Sequence, residues 1–445
     1  MSLIPRMGHT LVFAAAMGAG AAAQASMGSI ATTYGLLYSD VGTAQGLSLF
    51  NGRLSATYYN PANLVQGRNG ELVAGLLHAE PELRVNQTGG NQNAPQRSGT
   101  VLEDDRAQQV VLGLKTDLSD LTIYDHPINF GLMLGVEKFG RELLAFESRK
   151  AEEGQFLEYG RQPLFVSAGV GTRLWRGIDA GLATRVTLHA DANLEATTTT
   201  AGETSDEKLT VGTKPFIRVI AGLTMDMGET FCPDQGCWYD GLTLATAYRT
   251  LSNTRTGVNA DVDVDGIAGT IPIRINTIDS YQPETYTAGA EYRFGSWRIG
   301  ATAEFQRWEQ LSNELNGNDT IKDDGNVQFR DILIPRLGVE YEFTRLFTVM
   351  GGLAYEESPL ESTRNPEVNY LDNDRYVVGL GAQYCFCRLP VIAHPVTLGI
   401  GYQYQRLTER DFELVNNEGS SDESIEFVTA DGEVHVFTGS ITMHF

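Results

Sequence analysis

From residue 70 onward the chain repeats one pattern fourteen times: about ten residues of strict alternation, then a break. In WRIGATAEFQ (297–306), Trp297, Ile299, Ala301, Ala303 and Phe305 share one face, and Arg298, Gly300, Thr302, Glu304 and Gln306 share the other. In VTLGIGYQYQ (396–405), Val396, Leu398, Ile400, Tyr402 and Tyr404 oppose Thr397, Gly399, Gly401, Gln403 and Gln405. A period of two with one apolar and one polar face is a half-buried strand. Trp175, Tyr292, Trp297 and Tyr384 mark one end of the segments; Tyr248, Trp308, Tyr355, Tyr376 and Tyr404 mark the other. An apolar band between two aromatic girdles belongs to a wall that faces lipid. Strands can cross hydrocarbon only as a closed barrel, where every backbone polar group finds a partner. The pattern therefore predicts an all-β fold, a 14-stranded antiparallel transmembrane β-barrel over residues 70–445.

The breaks support this reading. Short connections (175–177, 294–296, 343–345) alternate with long polar ones (84–104, 140–161, 191–211, 253–282, 310–328, 358–373, 410–431). Short periplasmic turns and long extracellular loops are the asymmetry of bacterial outer-membrane barrels. The last strand ends FTGSITMHF, with Phe437, Gly439, Ile441, Met443 and Phe445 on one face. An aromatic final residue there is similar to the signal read by the barrel-assembly machinery, which is expected as a partner together with outer-membrane lipid and lipopolysaccharide. A monomer is expected.

The first residues fit the same destination, the outer membrane of a Gram-negative cell. Arg6, the apolar LVFAAAMGAGAAA and the small-residue site Ala23-Gln24-Ala25 read as a secretory signal peptide over 1–25. A formal net charge of −23 argues against nucleic acid, which needs a basic surface. Cys232 and Cys237 flank a turn-rich loop and are expected to form a local disulfide; Cys385 and Cys387 would close a very small ring. The C-x2-C spacing of a zinc site is absent from the four cysteines. DVDVDG (261–266) matches half of an EF-hand loop, but Pro272 stands where the bidentate glutamate belongs. No G-x-S-x-G, HExxH or P-loop occurs, and the pair His189 and Asp191, which a hydrolase could use, reads as a solvated loop entry. The expectation is a transporter without cofactor or resident metal. A diffusive porin for polar solutes and an outer-membrane hydrolase are the alternatives.

Fourteen strands enclose a lumen wider than side chains can fill. Residues 26–69 precede the first strand, lack an amphipathic period and carry Leu36, Leu37, Leu47, Leu49, Phe50, Tyr58 and Tyr59 to bury. They are predicted to fold as a hatch inside the barrel. Gly42-Thr43-Ala44, followed by SATYYNPA (55–62), resembles the hatch of the FadL/TodX family of outer-membrane transporters for long-chain fatty acids and other hydrophobic compounds. Pro127–Gly131 with Phe139-Gly140, and Tyr248-Arg249-Thr250, resemble that family's third strand and its step into a long outer loop.

The resemblance implies passive uptake. Outer loops capture a fatty acid, alkane or aromatic hydrocarbon, which then leaves sideways through a gap at a kink in the third strand. On that basis Asn60, Pro61 and Ala62 are expected to brace a kink at Phe139 and Gly140, the Asn60 amide meeting freed ladder groups. Candidate ligand contacts are the apolar residues stranded in polar loops: Leu143, Leu144, Phe146, Phe156, Leu157, Ile267, Ile271 and Ile273. Lumen-facing Arg185, Arg218, Arg249, Arg293 and Arg298 either hold a carboxylate head group or pair with the hatch and with acids such as Glu291 and Glu304.

Overall fold

The structure is a computed structural model. It describes residues 30–67, 70–94, 98–100, 106–121, 126–138, 144–145, 164–198, 204–232, 236–264, 270–316, 328–366, 370–390, 392–416, 419 and 421–445. The expected signal peptide over 1–25 lies outside them. Fourteen strands make the wall: β1 (Glu71–Gly90), β2 (Ala107–Asp117), β3 (Ile128–Lys138), β4 (Leu164–Trp175), β5 (Ile178–Thr198), β6 (Thr204–Asp226), β7 (Leu242–Arg249), β8 (Glu284–Phe294), β9 (Trp297–Arg307), β10 (Ile332–Thr344), β11 (Phe347–Glu356), β12 (Arg375–Phe386), β13 (Val396–Asn416) and β14 (Ser424–His444). Each pairs antiparallel with the next, and β14 returns to β1 from Glu71↔His444 to Gly90↔Glu426. The ring is closed, so none of its strands presents an open edge to lipid.

Alternation decides which face looks where. Along β9, residues 297, 299, 301, 303 and 305 are exposed, while 300, 302, 304 and 306 are buried. Leu76, Leu112, Leu182, Leu337, Leu380 and Ile400 stand outward at 48–66% exposure, which in water would be a costly surface and in lipid is the matching one. Tyr376 and Tyr384 of β12 bound this band, and eight residues at about 3.3 Å each, tilted by about 40°, give a height of roughly 20 Å. That is close to the apolar band of outer-membrane barrels. Trp308 departs from the expected girdle: directly after β9 its even number continues the lumen face, and it is 3% exposed, with Nε1 donating to Gln306 Oε1 at 2.8 Å.

The tight turns lie at the end where β8 meets β9, and Gly295 takes a φ of 56° there, a conformation glycine adopts without steric cost. At the opposite end the strands run past their expected limits. β5 and β6 continue to 198 and 204, β13 and β14 to 416 and 424, and the expected loop 253–282 holds a further hairpin, Ser252–Val264 with Thr270–Gln282. Val258–Val264 runs parallel to Ala192–Thr198 of β5, so this hairpin leans on the barrel's outer rim.

Residues 30–67 fold as short turns and one-turn helices inside the ring. From 30 to 65 every residue is buried except Gly52 and Arg53, and the segment touches all fourteen strands. Polar ties fix it near the short-turn end. Lys115 of β2 donates to the carbonyls of Gly52, Gln66 (2.8 Å) and Gly67 (3.2 Å), Glu71 of β1 accepts from the Leu54 amide (3.1 Å), and Arg298 of β9 donates to Phe50 O (2.8 Å).

Candidate functional site

The lumen is built in three levels. The lowest is the segment 30–67 with its Asn60-Pro61-Ala62 turn. Asn60 and Asn63 are fully buried, and both amides donate to Leu49 O, at 3.0 and 2.7 Å. Asn60 Nδ2 also donates to Thr224 Oγ1 of β6 (2.9 Å), and its Oδ1 accepts from the Ala62 amide (3.2 Å), capping the turn that Pro61 starts. Two glycines admit this turn to the wall. A side chain at Gly181 of β5 would collide with the Pro61 carbonyl, and one at Gly222 of β6 with the Asn60 side chain.

The motif thus braces β5 and β6. The expectation that the Asn60 amide meets freed groups of the third strand is not what the geometry gives, because its donors are used on Leu49 and Thr224. The parts of the hatch nearest β3 are Thr57 and Leu64, against Gly131. Phe139 and Gly140 lie outside the described residues, as do residues 146–163 before β4; within the described residues β3 keeps an unbroken register with β4 from Ile128↔Thr172 to Val136↔Leu164.

At the heart of this level Asp40 is buried completely. Its carboxylate accepts from Ser48 Oγ (2.8 Å), the Leu37 amide (3.1 Å) and Ser55 Oγ (3.4 Å). Burial outweighs these hydrogen bonds and pushes its pKa up to about 6 from 3.8. Between those two values the folded hatch binds more proton than the unfolded one, so this contribution to its stability is full below 3.8 and falls as pH rises through about 6. Amide exchange at Leu37 and Val41, corrected for intrinsic rate, is therefore expected to quicken between pH 4 and pH 7 in the wild type and to lose that dependence in Asp40→Asn. An unchanged pH profile in the variant would assign the slope to another group.

Above the hatch lies a charged layer. Arg249 of β7 and Glu304 of β9 are in direct contact, both almost fully buried; Glu304 also accepts from Gln306 Nε2 (2.6 Å), and Arg336 of β10 stands 3.9 Å from it. Arg336 lies 3.8 Å from Glu356 of β11, and Arg185 of β5 donates to Glu137 of β3 at 2.9 Å. Arg218 spends its donors on Thr250 O (2.6 Å), Pro283 O (2.9 Å) and Gln282. Tyr58 of the hatch lies beneath this layer, with the Arg185 and Arg249 guanidinium carbons 5.5 and 5.2 Å from its ring centre and Arg218 Nη1 3.5 Å from its hydroxyl. Arg293 and Arg298 belong to a lower position, both at 2.6 Å from Glu291.

The uppermost level is apolar. Leu83 and Val85 of β1, Ile332 and Ile334 of β10, Phe412 and Leu414 of β13, and Val428 and Ala430 of β14 turn inward at the long-loop end. There they pack with Tyr281, Trp308, Leu311, Phe329, Leu360 and Leu371, every one at most 5% exposed. Ile334 lies beside Glu304 in the β9–β10 ladder, and the bonds from Trp308 to Gln306 to Glu304 run from this level into the charged one. This apolar cluster, the chamber, is packed closed in the structure and rests on a polar floor.

Of the loop residues proposed to touch ligand, Leu144 is brought to the chamber: its backbone pairs with Leu371. Ile271 and Ile273 lie in the outer hairpin, opposite Val262 and Ala260. Leu143, Phe146, Phe156, Leu157 and Ile267 lie outside the described residues. The chamber residues themselves escaped the sequence reading, though a signal for them exists. On β14 the lumen face reads Thr442, Ser440, Thr438 and then changes to Val436, Val434, Ala430, Val428. Cys232 and Cys237 are joined by a disulfide in the connection between β6 and β7, while Cys385 and Cys387, with sulfurs 3.5 Å apart, lie where β12 ends.

The family model described as outer membrane protein transport protein (OMPP1/FadL/TodX) matches residues 246–445. Alkane uptake protein A of Marinobacter nauticus is 49% identical over 432 residues, covering 95% of this chain and 92% of its own. Among solved structures, a FadL homologue of Pseudomonas aeruginosa matches with a TM-score of 0.57 at 16% identity, over 92% of this chain and 98% of that one. The toluene transporter TodX of P. putida matches with a TM-score of 0.51 at 12% identity, over 93% and 99%. At these identities the two solved structures speak for the fold.

Proposed function

This chain belongs to the OMPP1/FadL/TodX family of outer-membrane transport proteins, and we propose that it takes up hydrophobic compounds, alkanes first among them. The observation that carries the reading is the cluster of inward-facing apolar residues at the long-loop end, above the charged layer and the hatch, which a ligand would enter by parting these side chains. A polar solute gains nothing there, because each buried polar group of the solute would lose its water without a partner. An alkane loses only its cage of water and gains roughly 0.8 kcal/mol per buried CH₂. The name of the Marinobacter relative points to the same ligand class. Entry is from the long loops, which face the cell exterior.

Exit follows from the same chemistry. A hydrocarbon that continued down the axis would have to cross the arginine–glutamate layer and then displace a segment tied to every strand. Release sideways into lipid avoids both. The proposed door is the part of the wall beyond Val136↔Leu164, toward Phe139 and Gly140, the positions that the resemblance assigns to the kink. Asn60, Pro61 and Ala62 keep the hatch seated on β5 and β6 beneath it.

A reversible staple tests the door. Paired residues of neighbouring strands lie close enough for a disulfide. Val136→Cys with Leu164→Cys, oxidised, is expected to reduce alkane uptake at least about tenfold and to recover on reduction if the ladder must part there. Uptake unaffected by the oxidised staple would place the exit elsewhere. Pro61→Ala should weaken uptake by loosening the seat of the hatch. A steady open conductance of the wild type in planar bilayers would instead favour a diffusive pore.

A further inference from the structure

We infer that the connection between β6 and β7 is a membrane-interface anchor, holding Trp238 in the phospholipid head groups of the periplasmic leaflet. Trp238 is 80% exposed, and Phe231, on the helix Met227–Phe231, is 54% exposed. Neither is needed for packing, and an apolar surface of that size standing in water calls for a partner.

The partner follows from where the loop runs. Tyr292 of β8 is outward-facing, 37% exposed within the lipid band, and its hydroxyl donates to Trp238 O at 3.1 Å. Arg293 N donates to Gly241 O at 3.0 Å. These bonds keep the loop on the outer rim of the wall, beside Tyr292, and not beneath the lumen. The same end of the wall carries further exposed aromatics: Phe294 (47%), whose ring lies 6.0 Å from that of Tyr292, Trp297 (43%) and Trp175 (57%). An indole with one apolar body and one N–H suits the head-group boundary better than water or hydrocarbon.

The loop is also built to be stiff. The Cys232–Cys237 disulfide closes it directly before Trp238, Tyr239 Oη donates to Phe231 O (3.4 Å), and Asp226 caps the helix by accepting from the Glu229 amide (2.9 Å). Arg173 on β4 holds Glu229 at 3.0 Å, tying the helix to the neighbouring turn. A rigid aromatic foot on strands β6 to β8 would fix the depth at which the barrel sits.

The full chain in phosphatidylethanolamine–phosphatidylglycerol vesicles tests this, the difference in emission between wild type and Trp238→Ala isolating one indole. Lipids brominated near the head group are expected to quench that difference about twofold or more, and lipids brominated near the chain end much less. Replacing both cysteines (Cys232→Ser with Cys237→Ser) should reduce the head-group quenching while the barrel stays folded. Difference emission that ignores brominated lipid, and is quenched by aqueous iodide as free tryptophan is, would overturn the anchor. It would mean that the face meets a periplasmic protein or water. Quenching unchanged without the disulfide would overturn its bracing role.

Discussion

Glu304→Leu is expected to lower the stability of the folded barrel by about 3–5 kcal/mol, measured as unfolding by urea in lipid vesicles, because it removes one partner of a buried charge cluster. The carboxylate is the shared counter-ion of Arg249, in contact with it, and Arg336, at 3.9 Å. It also accepts from Gln306 and Thr287. After the substitution Arg336 still faces Glu356 at 3.8 Å, but among the described residues Arg249 keeps just the face of Tyr58. A cation–π contact of that kind is worth about 0.5–2 kcal/mol and does not replace a carboxylate. Arg249→Met combined with Glu304→Leu should recover much of the loss, since two apolar groups leave no charge unpaired. A cost below about 1 kcal/mol for the single change would mean that water reaches the layer and shares the charge.

Leu414→Arg has the largest expected effect on transport. Leu414 is 1% exposed in the apolar cluster that also holds Phe412 and Val428. A guanidinium there keeps its water or pairs with the buried Glu426, the partner of Leu414 on β14, and in either case the ligand loses its apolar surface. Alkane uptake should drop at least about tenfold, the factor that 1.4 kcal/mol produces, while heat-modifiable migration on gels remains that of a folded barrel. Leu414→Met conserves volume and polarity and should leave uptake close to wild type. Full uptake by the arginine variant would move the ligand path out of this chamber.

The parts of this molecule that the sequence revealed are those that lipid constrains. Within the bilayer every wall residue must alternate, so the faces of β9, β13 and β14 could be assigned residue by residue. Above the bilayer that demand lapses. The outer parts of β5 and β6 and the hairpin 252–282 are ordinary polar strands such as NTRTGVNADV, and they read as loops because nothing requires an apolar face there. Trp308 shows the risk of reading aromatics by position alone: its parity, not its place at a strand end, decides that it faces the lumen.

The candidate site was legible in a similar, partial way. Asn60-Pro61 announces a capped, rigid turn from local chemistry, and the turn is there. Which strand receives it depends on Gly181 and Gly222, whose missing side chains matter only once the hatch lies against them. The chamber combines residues from four strands and several loops, more than 300 positions apart between Leu83 and Leu414, and a single sequence holds no record of that proximity.

Growth of a strain lacking this protein tests the central claim most directly, with n-alkane, long-chain fatty acid, toluene or succinate as sole carbon source and the wild-type chain restored on a plasmid. The expected result is a defect on hydrophobic carbon, deepest on n-alkane, that the wild type repairs and Leu414→Arg does not, with growth on succinate unaffected. Equal growth of the deletion strain on every source, or a defect confined to succinate, would contradict it.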